Sequence, residues 1–184
     1  MDPDTKYLAG YVLGDGMIKW YRHSGYEVKL TEKNREYAGY LAELVAKVLG
    51  AVPSISRDRR GKAWRVRVYR RRAYERMKTT IDMALKEPDA HLIGGLFDAE
   101  GDYTVSKNRL RFTNKDPRLV GLIADYLKKL GVKYYVYERK RKESTWYTVE
   151  IYGQNVLKLL PYLDLRHPKW FRTLTLMLRP RLCL

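Results

Sequence analysis

The chain repeats itself. Residues 8–16, LAGYVLGDG, align with residues 93–101, IGGLFDAEG. Leu30-Thr31-Glu32-Lys33 aligns with Phe112-Thr113-Asn114-Lys115, and residues 37–50 align with 119–131, both stretches closing on Leu-Gly. Val66, Val68 and Tyr69 match Val149, Ile151 and Tyr152, and Leu85-Lys86-Glu87-Pro88 matches Leu165-Arg166-His167-Pro168. Five blocks in one order mark a tandem duplication, and a repeat of this kind constrains the fold more than any single propensity. The joint falls between residues 87 and 91, so the expected organisation is 1–87 and 88–184, two repeats within one compact pseudo-two-fold unit.

Each repeat reads alike. A Gly-rich apolar helix ends at Asp15-Gly16 or Glu100-Gly101. Strands follow with period-two alternation: Val28 and Leu30 against Glu27 and Lys29, then Leu110 and Phe112 against Arg109 and Arg111. Such alternation marks an antiparallel sheet buried on one face. A helix at 3.6-residue spacing comes next and stops at Gly50 or Gly131, where a helix C-terminal glycine belongs. A second hairpin and a short closing helix complete the half. The expected fold is α+β, with the order αββαββα occurring twice.

Charge says what such a chain meets. Lys and Arg number 37 against 21 Asp and Glu, a formal net charge of +16. An excess of one sign on this scale points to a polyanion, nucleic acid first. Between Arg57 and Arg72 stand eight Arg and one Lys beside a single acid, Asp58. Residues 139–142, Arg-Lys-Arg-Lys, form a basic hairpin tip between Tyr137 and Trp146. One Gln and four Asn among so many Lys, Glu and Arg suggest a hot habitat. A lone Cys183 excludes a disulfide framework, no apolar run is long enough to span a bilayer, and the N-terminus lacks an apolar signal core, so a prokaryotic cytoplasm is expected. His23, His91 and His167 have no ligand spacing, no phosphate-cradling Gly-Lys-Ser/Thr loop occurs, and neither end of the chain has the residues of a splicing junction.

The two Gly-rich blocks resemble the LAGLIDADG motif of homing endonucleases. Leu96-Phe97-Asp98-Ala99-Glu100-Gly101 is the nearer copy; the first departs from the motif at Leu13 and Gly14. The resemblance runs from Tyr7 to about Leu178 and is to the monomeric, two-motif branch. It implies that the motif helices pair about a pseudo-dyad, that the sheets form a DNA-binding saddle, and that the acid before each last glycine, Asp15 and Glu100, carries metal chemistry. Small residues such as Gly10, Gly14, Gly94 and Gly95 let helix backbones approach closely. A carboxylate at a helix C-terminus faces the negative end of the macrodipole, and a second one beside it adds repulsion. A divalent cation would relieve both. Mg²⁺ suits the oxygen ligands, with Mn²⁺ as a substitute, and the Gly14 and Ala99 carbonyls are expected to add ligands.

Other roles come from the same resemblance. Glu32 and Asn114, after the second strand of each repeat, stand where the family orients water, and Lys86 and Arg166 where it places a cation near the scissile phosphate. Outward-facing strand and turn residues are expected to contact DNA: Lys19, Tyr21, Arg22, Lys29, Arg57, Arg59, Arg60, Lys62, Arg65, Arg67 and Arg70 from the first repeat. From the second come Lys107, Arg109, Arg111, Arg139, Lys140, Arg141, Lys142 and Trp146. Arg67 aligns with Glu150, so the repeats should read different half-sites. The function implied is a site-specific endonuclease that cuts both strands of a long asymmetric duplex and leaves 3′ overhangs. The alternative is a non-cleaving RNA splicing maturase or DNA-binding regulator of the same fold.

Overall fold

A computed structural model describes residues 1–23, 25–141 and 143–171. It separates into two compact units, Met1–Ala99 and Glu100–Leu184. The order αββαββα is found twice, as expected.

The first unit opens with α1 (Pro3–Asp15), whose start is set by Asp2: its carboxylate accepts the Thr5 amide at 3.0 Å, and Pro3 supplies the fixed φ that suits a first turn. There follow β1 (Gly16–Tyr21), β2 (Gly25–Glu32), α2 (Arg35–Leu49), β3 (Ser54–Arg57), β4 (Trp64–Val68) and α3 (Arg71–Lys86). The strands form an antiparallel sheet in the order β1-β2-β4-β3. Val28 pairs with Val68 and Leu30 with Val66, so alternation places all four on one face, where they are buried under the helices. The core of α2 is a stripe at helical spacing, from Tyr37 and Leu41 to Val48. Asn34 caps its start by accepting the Tyr37 amide at 3.0 Å, and Gly50 ends it in the left-handed region at φ 63°.

The motif helix of the second repeat, α4 (Ala90–Glu100), packs into this first unit for all but its last residue. Glycine is the reason it fits. A Cβ on Gly10 would collide with the carbonyl oxygen of Leu92 and sit 3.1 Å from the Leu96 nitrogen; one on Gly95 would strike the Tyr7 carbonyl oxygen and lie 2.8 Å from the Tyr11 nitrogen. Of the four small residues expected to allow a close approach, Gly10 and Gly95 make the α1–α4 contact. Asp89 caps α4 by accepting the amides of His91 and Leu92 at 3.0 and 3.2 Å, and Lys6 ion-pairs with it at 2.8 Å.

The second unit holds β5 (Gly101–Thr104), β6 (Arg109–Asn114), α5 (Pro117–Lys129), β7 (Tyr135–Arg141), β8 (Ser144–Tyr152) and α6 (Gln154–Leu159). Its sheet has the matching order β5-β6-β8-β7, again antiparallel. Leu110 pairs with Ile151 and Phe112 with Val149 on the buried face. Two local expectations change. Residues 139–141 are not a hairpin tip but the end of β7, because alternation carries pairing out to Arg141 opposite Ser144. The shared Leu-basic-x-Pro blocks also differ in structure. Lys86 ends the 16-residue α3, whereas α6 has 6 residues and gives way at Pro161, which cannot continue the ladder, so Arg166 lies past α6 in a non-helical stretch. Among the described residues no helix is long and apolar enough to cross a membrane.

Candidate functional site and basic sheet faces

Each motif acid is the last residue of its helix. Asp15 is exposed at the end of α1. Gly16 follows it with its amide donated to the Val12 carbonyl, and a Cβ there would lie 2.5 Å from the Val12 Cα. Only glycine lets the chain leave the helix so abruptly and enter β1 directly, which fixes where the carboxylate is presented. Glu100 ends α4 half-buried, directly before Gly101 opens β5. In the second unit it lines a cavity of about 200 Å³ with Asp102, Arg111, Thr113, Arg139, Trp146 and Thr148. Arg111 grips Asp102 with two parallel bonds, Nε to Oδ1 at 2.7 Å and Nη2 to Oδ2 at 3.1 Å. Lys115 lies 4.8 Å from the Trp146 ring centroid.

The strand-end polar residues hold turns. Glu32 is buried; its Oε1 accepts the Asn34 amide at 2.8 Å and its Oε2 accepts the Tyr11 hydroxyl at 2.7 Å. Asn114 does the equivalent local job, its Oδ1 accepting the Asp116 amide at 2.9 Å. Burial, and then the charge of Glu32, push the Tyr11 phenol well above its usual value, so it stays a donor. Arg166 forks onto Asp164 at 2.6 and 2.9 Å, and Lys86 stands exposed at the end of α3.

Asp98 is a residue that sequence reasoning missed. It is 2% exposed on α4 and accepts the hydroxyls of Tyr7 and Tyr37, which also bond each other. Burial followed by the Asp98 charge raises both phenols. Its motif position was visible; its two donors, 91 and 61 residues away in the chain, were not.

The helix-free face of each sheet carries the cations. In the first, Lys19, Lys29, Arg65 and Arg67 alternate with the buried valines and Leu30. Tyr21 lies under the Lys19 ammonium at 4.8 Å, and Arg57 lies 5.0 Å from the Trp64 centroid. Arg22, Arg59, Arg60, Lys62 and Arg70 are exposed around the turns of this unit. In the second unit Arg109, Arg111 and Trp146 are half-buried on the sheet, while Lys107, Arg139 and Lys140 are exposed. Arg141 belongs to β7 by its backbone, and Lys142 lies outside the described residues.

Besides Arg111, which holds Asp102, two of these arginines pair with a glutamate on the neighbouring strand. Arg67 Nε lies 3.5 Å from Glu27 Oε1, and Arg109 Nη1 donates to Glu150 Oε1 at 2.8 Å. Burial alone would raise the Glu150 carboxyl; hydrogen bonds from Tyr152 and Tyr137 and the charges of Arg109 and Arg111 outweigh it and hold the group below its ordinary value. The signal for both pairs lay in the repeat alignment. Glu27 aligns with Arg109 as Arg67 aligns with Glu150, an exchange of charge between neighbouring strands.

Comparison with known proteins agrees with this architecture. The family model of the LAGLIDADG-like domain matches twice, over residues 2–82 and 87–163. The chain is 28% identical over 172 residues to an A-type ATP synthase polypeptide of Methanopyrus kandleri; the match takes in 90% of the chain but spans 16% of that relative's length. It is 26% identical over 140 residues to the homing endonuclease I-DmoI of Desulfurococcus mucosus, covering 70% of the chain and 71% of I-DmoI. Crystal structures of I-DmoI share the fold. The complex with DNA and Mn gives a TM-score of 0.74 at 22% identity, covering 90% of this chain and 98% of the other. The complex with DNA and Ca gives 0.75 at 21%, covering 94% and 97%.

Proposed function

The chain belongs to the LAGLIDADG-like domain family, and on that premise we propose that it is a homing endonuclease. It binds a long asymmetric site in duplex DNA as a monomer and cuts both strands, leaving 3′ overhangs. The observation that carries the reading is the presentation of the motif acids: two helices, each stopped by glycine and each ending on a carboxylate. The likeness to I-DmoI, whose structures hold DNA with Mn or Ca, supports the substrate and the use of a divalent cation.

The donor set suits Mg²⁺ or Mn²⁺. Among the described residues no three His, Cys, Asp or Glu side chains cluster as a self-sufficient metal site. Mg²⁺ needs no such cage, since one or two carboxylates plus substrate phosphate satisfy it. Asp15 and Glu100 would hold the ion, with the Gly14 and Ala99 carbonyls as further ligands. Bound there, it would supply an acidified water and stabilise charge on the departing 3′ oxygen. Lys86, exposed at the end of α3, and Arg166, whose guanidinium also holds Asp164, would bring positive charge to the phosphate, and Glu32 and Asn114 would orient water beside the turn amides they already accept. The two repeats, 1–87 and 88–184, act as one enzyme in the cytoplasm of a thermophilic prokaryote, and spread the intervening sequence that encodes it.

The test is selection of cleaved sites from a pool of randomised duplex DNA with Mg²⁺. Wild type should enrich one long non-palindromic site; Asp15→Asn and Glu100→Gln should lose cutting of both strands by at least about 100-fold, the scale of a lost charge-stabilising group. Retained binding with calcium should accompany that loss. Undiminished cutting in chelator, or by either variant, would overturn the mechanism. Sequence-selective binding without cutting in either metal would favour the regulator.

A further inference from the structure

On the helix-free faces of the two sheets stand two triads that match in place but not in charge. In the first, Glu27, Arg67 and Tyr69 are linked: Arg67 Nε is 3.5 Å from Glu27 Oε1, and its Nη1 donates to the Tyr69 hydroxyl at 3.2 Å. In the second, the aligned residues are Arg109, Glu150 and Tyr152. Arg109 Nη1 donates to Glu150 at 2.8 Å, and the Tyr152 hydroxyl donates to the other Glu150 oxygen. The tyrosine keeps its place and reverses its role, accepting from arginine in one triad and donating to carboxylate in the other; a phenol has both capacities. The cation, by contrast, moves one strand over, from β4 to β6.

Both arginines are caught half-engaged. Among the described residues, Arg67 Nε and Arg109 Nε are the buried side-chain nitrogens or oxygens that lack a hydrogen bond. Their side chains keep 24% and 15% exposure. Arg67 donates to Tyr69 through Nη1, and Arg109 donates to Glu150 through Nη1 and to the Thr104 hydroxyl through Nη2 at 3.3 Å, so each retains N–H groups beyond those that hold it. A guanidinium carries five N–H groups in a planar fork, and a terminal nitrogen that gives one hydrogen to the sheet keeps a second for a flat pair of acceptors. Guanine offers such a pair in the major groove, O6 and N7. The neighbouring carboxylate has a second effect. It repels phosphate, so the arginine is poorly placed to serve as a nonspecific backbone contact.

We propose that Arg67 and Arg109 are the guanine-reading residues of the two half-sites, and that Glu27 and Glu150 are the positioning residues that aim them. This rests on the endonuclease reading. It changes what the alignment alone implied: the second repeat does not lack a counterpart to Arg67 at position 150 but carries it on the adjacent strand, so the two half-sites place their guanines in different registers.

The experiment reads binding alone, in calcium, from a pool of randomised duplex DNA. The wild-type preference is determined first, then each variant is assayed on all single-base changes of the selected site. Arg67→Lys keeps the charge but loses the fork, and should abolish discrimination at one G·C pair, by about 5- to 150-fold, with the other positions unchanged. Arg109→Lys should do the same at a different G·C pair in the other half-site. Glu27→Gln and Glu150→Gln should weaken preference at the pair read by their own arginine and nowhere else, and Glu150→Asp should restore part of it. A merely structural carboxylate would not produce that co-mapping. Uniform changes over all target variants, or Glu variants that simply tighten every duplex, would overturn the assignment. A wild type that selects no sequence would instead overturn the endonuclease reading. Thermal melts of each Lys and Gln variant identify any that fail to fold, and the remaining arginine–carboxylate set still decides the outcome.

Discussion

The motif helices of the two repeats pack alike and are surrounded differently. On and beside α1 stand Tyr7, Tyr11 and Tyr37; the aligned residues of the second repeat are Leu92, Leu96 and Leu119. All six are buried. The rings and the leucines do the same hydrophobic work, but three hydroxyls came with the rings, and a buried hydroxyl needs a partner. The first repeat supplies Glu32 for Tyr11, and α4 supplies Asp98 for Tyr7 and Tyr37. At the positions aligned with those two acids stand Asn114 and Leu13. The two repeats therefore differ in concert: where one has an aromatic hydroxyl in the core, a carboxylate stands by to accept from it.

Three perturbations test how far the halves are equivalent. The largest effect should be the shared one. Gly10→Ala and Gly95→Ala each force a methyl into the opposing backbone, and each should cost about 3 kcal/mol in denaturant unfolding. A difference of more than about 1.5 kcal/mol between them would show that the contact is not symmetric in energy. The next effect should be unequal. Asp98→Leu, which copies the first repeat's Leu13, removes the carboxylate that both buried hydroxyls share; one can still donate to the other, but the second donor is left unmet, and the change should cost about 2 kcal/mol. Adding Tyr7→Leu and Tyr37→Leu removes those donors and should recover much of the loss, since deleting all partners is gentler than deleting one. A triple variant worse than the single one would mean that ring packing, not polar pairing, maintains the difference.

The smallest effect is a pH dependence confined to the second sheet. The Glu150 carboxyl titrates below its ordinary value of 4.5 in the folded protein. Its contribution is therefore complete above that value and is lost as the pH falls through the folded one. The gap in unfolding free energy between wild type and Glu150→Gln should be largest near neutrality, at about 1 kcal/mol, and shrink as the pH falls below the ordinary 4.5. A gap that widens with acid would reverse the assignment.

Much of this was legible in the chain because it is local. Period-two alternation at residues 28–30 and 66–68 gave strands and their buried face, and glycines 50 and 131 gave helix ends. The Asp-Gly and Glu-Gly junctions placed both acids at helix C-termini. What escaped is what depends on partners distant in sequence. Lys86 and Arg166 look equivalent until Pro161 cuts the second helix short. Arg67 looks like a free cation until the diagonal register across β2 and β4 brings Glu27 beside it. Lys6, an unremarkable helix residue in the sequence, reaches Asp89 at the head of α4.

The lock formed by Tyr7, Tyr37 and Asp98 also bears on the history open to this chain. A tandem duplicate is ordinarily free to come apart again, each copy pairing with itself as a dimer. Here two first copies would bring four tyrosine hydroxyls to a junction whose corresponding residue is Leu13, with no carboxylate to accept from them. Two second copies would bury a pair of Asp98 carboxylates among leucines, with no donor and with like charges close together. Each repeat now holds half of a polar set that is complete only in the other's company. The fusion has become a ratchet: later substitutions can tune either copy, but a return to two interchangeable ones would require three buried positions to change at once.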